Sequence, residues 1–398
     1  LSTNGNSVFL KAVRLKAALL MWKSLNFGVF FFLMFSCGEK QKAQIPAERY
    51  IPELVLKDSL VIDRLTELSL LDVKSSTIEY LMYDWNTKEI MRVDSQGEIL
   101  AIADLVSDGK NSFRRSYFIN ANYGAQDEVV IQTDLAIFRY DLDFNLKENQ
   151  NTDYELVTRR VGGSRSFQTL GDFIFTFSYE AKDSESYGED DNSLSTYPLL
   201  NLRHAKSLEI IYQSTVPASS QMVKSPGIYY QLDPIVHLKD DLLYALFPNS
   251  PEIYIYKFPE LELINQWDFN PGETYQQIKP AKKGEDLSGF FNSLAASEYQ
   301  YFVFSNGYLL TMLEDAAPKV DVDALPKEMI GDEFITLSKK YKNKYTYQIF
   351  NGGEKLWQGR WDIQLKSVRD LLFATEKVGI KAGEVELDVQ TFYFYELK

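Results

Sequence analysis

Six carboxylates crowd into residues 180–191: Glu180, Asp183, Glu185, Glu189, Asp190 and Asp191. Hard cations take oxygen ligands from flexible loops, so Ca2+ is the metal such a segment suits. The spacing is not that of an EF-hand, however. A solvated acidic loop, or one that draws in a basic partner surface, is the alternative. The local counterweight is Arg159-Arg160-Val161-Gly162-Gly163-Ser164-Arg165, a basic cluster whose glycines read as a turn before a strand at 167–170. Arg159, Arg160 and Arg165, together with Arg203 and His204, are the side chains that could receive an anion or a polar group. A histidine serves as a general base only with a partner in hydrogen-bond reach. The sequence around His204 and His237, the two histidines of the chain, identifies none. No paired-carboxylate pattern, nucleophile elbow, phosphate loop or paired-cysteine metal motif stands out. We therefore assign no catalytic residue and expect no cofactor, with Ca2+ as the one metal to consider.

Cys37, the single cysteine, carries a different chemistry. It closes the apolar run Val29-Phe30-Phe31-Phe32-Leu33-Met34-Phe35-Ser36, and upstream lies Met21-Trp22-Lys23-Ser24, a start with a positive flank. The apolar stretch is too short for a hydrocarbon core of roughly 30 Å but suits a signal peptide. The pattern predicts an upstream extension over 1–20, a lipoprotein signal over 21–36, a lipidated tether over 37–47 and one folded domain over 48–398. Cys37 is then the lipid attachment site, and the lipid bilayer is the first predicted partner. Removing residues 1–36 takes away four basic side chains and no acidic one, moving the net charge from −14 to −18. Such a surface repels nucleic acid.

What must position these groups is mostly sheet. The chain has 26 Phe and 25 Tyr, and residues of that kind favour strands. Hairpins with period-two alternation occupy 89–100, 135–147, 253–264 and 345–357, and two further strands lie at 208–212 and 391–397. The closest of them recur at about 45 residues, the length of one four-stranded propeller blade. Asn351-Gly352-Gly353 and Gln96-Gly97 supply turns where positive φ is cheap. Preceding strands are expected at 77–83, 173–179, 242–247, 301–310 and 370–375. Within a unit the order reads b, c, turn, d, and the last unit stops after its strand c. Residues 53–63 could supply the missing strand d from the other terminus and close the ring. The fold class is all-β, a six-bladed β-propeller, with seven blades or two stacked β domains as alternatives. A seventh blade would lie near residue 300. Long b–c insertions at 179–198, 312–343 and 376–386 emerge on one face. Within the second of these, one helical turn is expected between Leu325 and Ile330.

With the signal ending in Cys37, the strand Ile253-Tyr254-Ile255-Tyr256-Lys257-Phe258 and the terminal Phe392-Tyr393-Phe394-Tyr395, the chain resembles a family of Bacteroidetes lipoproteins with a TolB-like six-bladed propeller domain. The resemblance implies a periplasmic or surface-facing protein of the outer membrane and carries over no catalytic residues. The expected function is extracytoplasmic binding or scaffolding, with an envelope protein, peptide or carbohydrate recognised by the long loops of one face. The alternative is a propeller hydrolase or lyase with polar groups gathered at its tunnel mouth.

Overall fold

The computed structural model describes residues 51–398, apart from 65, 114–115, 158–164, 166, 231, 283–286 and 376–388. The expected signal, Cys37, the tether, Arg159 and Arg160 all lie outside the described residues. Six antiparallel sheets make six blades, each with four strands in the order a to d from the inside outward. Blades one to five run over 68–104, 118–151, 154–214, 235–268 and 298–359. Blade six takes its strands a to c from 366–397 and its strand d from Leu54–Ile62.

That closure follows the sequence expectation in detail. Leu54 pairs with Leu397 and Ile62 with Gln390, with one bulge between Leu56 and Asp58. Lys398 and Glu53 exchange backbone hydrogen bonds of 2.8 and 2.9 Å beyond the strand end. Leu60 and Ile62 point inward and join Phe392, Phe394, Met91 and Val93 in one core between blades six and one. Gly97, at φ +90°, lies in the c–d turn of blade one, where a Cβ would come within 2.0 Å of the Val61 carbonyl oxygen. The closing strand and the neighbouring turn therefore meet backbone to backbone, which only glycine permits.

Arginines latch successive blades together. Arg92, on strand c of blade one, pairs with Glu79 and donates to the Leu142 carbonyl of blade two at 2.7 Å. Arg139, at the equivalent place in blade two, pairs with Glu128 at 2.8 Å and donates to the Ala205 carbonyl of blade three. Both guanidinium groups are buried and their carboxylates half-buried, so each pair carries a desolvation cost and fixes one arrangement of neighbouring blades.

Three expectations are corrected. In the third blade, strand c is Leu200–His204, and the segment at 208–212 belongs instead to strand d, Ile210–Ser214. In the fifth, 301–310 is no single strand: Glu298–Ser305 and Tyr308–Glu314 are strands a and b, joined at Asn306-Gly307. They complete blade five, so there is no seventh blade near 300. The insertion of blade five has no helix over 325–330. It has one on each side, at Lys319–Asp323 and Asp332–Tyr341. Pro326 explains this, because a proline shortly after a helix end cannot continue it.

Candidate functional site

The two places where the fold could gather chemistry are the central channel and the end of the ring that carries the long connections. Strands a line the channel. In blade three this strand is split: Tyr154–Leu156 and Phe167–Leu170 pair with different halves of Phe173–Glu180. The basic segment is therefore an excursion inside strand a rather than a plain d–a connection. It delivers Arg165 to the channel, where Arg165 bridges to Ile235 of blade four. The Arg165 guanidinium donates to the Gln300 carbonyl at 2.6 Å and lies 3.7 Å from Glu298, both on blade five.

A second arginine crosses nearer the a–b turns. Arg369, from the turn of blade six, pairs with Asp72 of blade one at 2.5 and 2.9 Å and reaches Thr169 Oγ1 of blade three at 3.2 Å. Asp72 also accepts from the Tyr123 backbone N–H of blade two at 2.7 Å. Burial works against the Arg369 charge, but Asp72 outweighs it and holds the guanidinium proton more tightly than usual. Between the two struts the channel keeps a cavity of about 50 Å3, lined in part by His237 and Ser367. His237, buried on blade four, has Nε2 2.9 Å from Asp370 Oδ1 on blade six. Among the described residues, ion pairs thus cross the channel from blade to blade.

Burial raises the Asp370 pKa, but His237, Lys239 and Arg369 overcome this and hold the carboxyl below its ordinary value. A carboxyl depressed in the folded state stabilises the fold above its unfolded pKa of about 3.9, and that contribution disappears as pH falls through the lower folded value. The stability gap between the wild type and Asp370→Asn should accordingly narrow as pH is lowered from 6 to 3. Urea midpoints measured across that range check this, and a gap independent of pH would contradict it.

The insertions build something larger on the outside. The connection from blade four to blade five (269–297) and the b–c connection of blade five (315–344) fold together as a helical cap. Its helices are α1 (Ser288–Leu294), α2 (Lys319–Asp323) and α3 (Asp332–Tyr341). Phe291, Leu294, Ala317 and Val322 form a core of its own, with Phe334 edge-on to Phe291 at 5.4 Å. The helix α3 starts with Asp332 and Glu333 and ends with Lys339 and Lys340, charges that complement its dipole. Lys342 anchors the cap to the propeller through the Ala296 carbonyl at 2.8 Å and Glu314 at 3.5 Å.

Two clefts open in this cap. The larger, about 620 Å3, is lined by Gln276, Lys279, Asn292, Lys319, Asp323 and Lys327 among others. Asp323, the one carboxylate among its described lining residues, is held below its usual pKa chiefly by a hydrogen bond from Lys319, with the charges of Lys327 and Lys279 adding to it. The smaller, about 330 Å3, lies between Tyr230, Phe290, Glu298 and Glu314. Glu298 and Glu314 face each other as cross-strand partners. Like charges so placed repel, and Arg165 and Lys342 offset that repulsion.

The acids at 180–191 are dispersed to separate duties. Glu180 pairs with Arg203 at 2.7 Å, and Asp190 accepts from the Asn192 backbone N–H at 2.8 Å. Asp183 is half-buried, Glu185 is exposed in the first turn of the short helix Ser184–Glu189, and Asp191 is exposed beyond its end, while the Glu189 side chain lies outside those described. Among the described residues no group of three His, Cys, Asp or Glu side chains is placed to hold a metal ion. Arg203 is 1 % exposed and enclosed: it also donates to Thr176 and the Leu208 carbonyl and lies 4.0 Å from the Tyr154 ring. His204 is exposed at the end of the same strand, where its Nδ1 accepts from the Ser207 backbone N–H of the following turn at 3.2 Å. Among the described residues, Arg165, Arg203 and His204 are therefore not brought together. The lysines of the cap, which sequence reasoning missed, are. The one signal for them was the length of the blade-five insertion.

The chain matches no protein-family model and no curated protein. Solved structures similar to it include a Bacteroides fragilis protein described as exported (10% identity, 88% of this chain and 96% of that chain, TM-score 0.49). BamB from Moraxella catarrhalis is another (9% identity, 86% and 100%, TM-score 0.40). A third is the PQQ-bound aldose sugar dehydrogenase of Streptomyces coelicolor (11% identity, 87% and 99%, TM-score 0.40). The fold stands on the six sheets themselves, and none of these similarities carries a functional argument. No helix among the described residues is long and apolar enough to cross a membrane.

Proposed function

We propose that this protein is an extracytoplasmic binding or scaffolding protein, anchored to a membrane by lipid on Cys37, that recognises its ligand through the cap over blades four and five. The observation that carries the reading is the cap itself: its larger cleft of about 620 Å3 far exceeds the cavity of about 50 Å3 beside the channel arginines. Recognition by loops held on a rigid scaffold is the common arrangement. Support for the anchor comes from the run of residues ending at Cys37. The chain enters strand d of blade six beside Leu397, at the end of that blade carrying its a–b turn. The b–c connections lie at the other end. On this reading the chain is a TolB-like propeller lipoprotein of the outer membrane, with an envelope protein or carbohydrate as its ligand.

The test compares proximity labelling by the full chain with labelling by a variant in which 318–341 is replaced by a short Gly-Ser linker. Circular dichroism and melting confirm that the propeller is intact. Loss of specific neighbours in the variant supports the cap as the recognising element. An unchanged set of neighbours overturns it.

A further inference from the structure

The larger cap cleft gathers lysines in a chain that is acidic overall. The chain carries 56 acidic residues against 42 Lys and Arg. Within this cleft, Lys279, Lys319 and Lys327 stand around Asp323, the one carboxylate among the described lining residues. Lys319 is bonded to Asp323, and Lys327 donates to the Val322 carbonyl and sits 4.2 Å over the Phe291 ring. Lys279 is exposed and makes no ion pair among the described residues. Among the described residues lining it, the cleft therefore carries three ammonium groups to one carboxylate, inside a protein that is negative overall.

Its other polar groups are carboxamides. Gln276 and Gln277 follow Tyr275 along the connection, and Gln277 is steadied by a bond to the Asn249 carbonyl at 2.9 Å. Asn292 projects from α1 and reaches the Pro280 carbonyl at 3.4 Å. An amide offers a donor and an acceptor side by side, which suits hydroxyl groups that are both. The aromatic face that could hold a flat apolar ligand, Phe291, is covered by the Lys327 ammonium. Lysine is a point charge without the bidentate fork of arginine, so the site reads the presence of an anion rather than a fixed planar shape. The volume falls within the range of about 300–1,000 Å3 common for small-ligand pockets.

We propose that this cleft binds an anionic saccharide, with its acidic group held among Lys279, Lys319 and Lys327 and its hydroxyls met by Gln276, Gln277 and Asn292. Carboxylate and phosphate would both satisfy the ammonium groups, so a uronic acid and a sugar phosphate are the two sources of that charge. The inference rests on the cap being the recognising element and goes beyond it by naming the ligand's chemistry.

Calorimetric titration of the full chain tests it with three probes: trigalacturonic acid, glucose 6-phosphate and the neutral trisaccharide maltotriose. At least one anionic probe should bind, more weakly at high salt, with maltotriose at least about tenfold weaker. A charge-assisted hydrogen bond of about 1.5–3 kcal/mol corresponds to tenfold or more in affinity. Which acid binds identifies the source of the charge. Lys279→Glu, an exposed change outside the cap core, should lower that affinity at least about tenfold with the melting temperature unchanged. Absence of binding by both anionic probes at millimolar concentration overturns the proposal, as does equal binding of maltotriose or an unaffected Lys279→Glu variant. If proximity labelling remains cap-dependent while both anionic probes fail, the saccharide inference falls and the cap reading stands.

Discussion

Asp72→Ala is expected to destabilise the propeller by about 3–5 kcal/mol, the usual consequence of removing one partner from a buried ion pair. Asp72 is 1 % exposed and serves two groups at once, the Arg369 guanidinium and the Tyr123 backbone N–H. Alanine would leave both without their carboxylate, with the Arg369 guanidinium against a cavity of about 50 Å3. The effect should concentrate where the ring is joined, because Arg369 links blade six to blades one and three. Hydrogen exchange in strands a of blades one and six should accelerate more than in blade four. The double variant Asp72→Leu/Arg369→Met should recover much of the loss, since replacing a buried pair by apolar groups of similar volume is often close to neutral. Urea denaturation of the two variants and the wild type decides the matter. A loss below about 1 kcal/mol for Asp72→Ala would show that water takes over these contacts and that the strut does not hold the ring.

The strut was not legible in the sequence, and the reason is distance along the chain. Arg369 and Asp72 are 297 residues apart, and neither sits in a pattern that announces its partner. The closing strand was legible because its signal is local at both ends: an alternating apolar segment at 53–63, and a last unit that stops after strand c. Strands c of blades one, two, four and five were read for the same reason, with Gly97 and Gly352-Gly353 marking two of their turns by positive φ. Strand c of blade three was missed because Arg203 looks like a surface residue in sequence. Its burial depends on Glu180, Thr176 and Tyr154, which pack around it only in the fold. Strands a and b of blade five were merged because Asn306-Gly307 interrupts a long apolar run by only two residues. The cap was legible as an insertion on the b–c side but not as a site. Its lysines come from two connections, 269–297 and 315–344, that meet only after blade five has folded between them.

Removing residues 1–63, and with them the closing strand, should abolish the cooperative fold. Strand Leu54–Ile62 is paired along its length with Gln390–Leu397, and without it blade six would end in an open edge displaying those backbone groups. The apolar loss is larger still. Leu60 is 2 % exposed and Ile62 is fully buried, and both pack against aromatic and methionine side chains of two blades. Truncating one such side chain to alanine costs about 2–5 kcal/mol, so Leu60→Ala alone should lower the melting temperature measurably. Deleting the strand removes both side chains and their hydrogen-bonded register from a domain whose total stability is on the order of 5–15 kcal/mol. A milder route reaches the same joint: Gly97→Ala would place a Cβ against the Val61 carbonyl at a φ that disfavours it, pushing the strand away without deleting it. The order of damage should therefore be deletion first, with Leu60→Ala and Gly97→Ala intermediate. A synthetic peptide spanning 53–63, supplied to the truncated chain, should restore a cooperative melt if strand pairing is what closes the ring. A truncated protein that melts like the wild type without the peptide would mean that the arginine strut and the interblade cores close the propeller on their own.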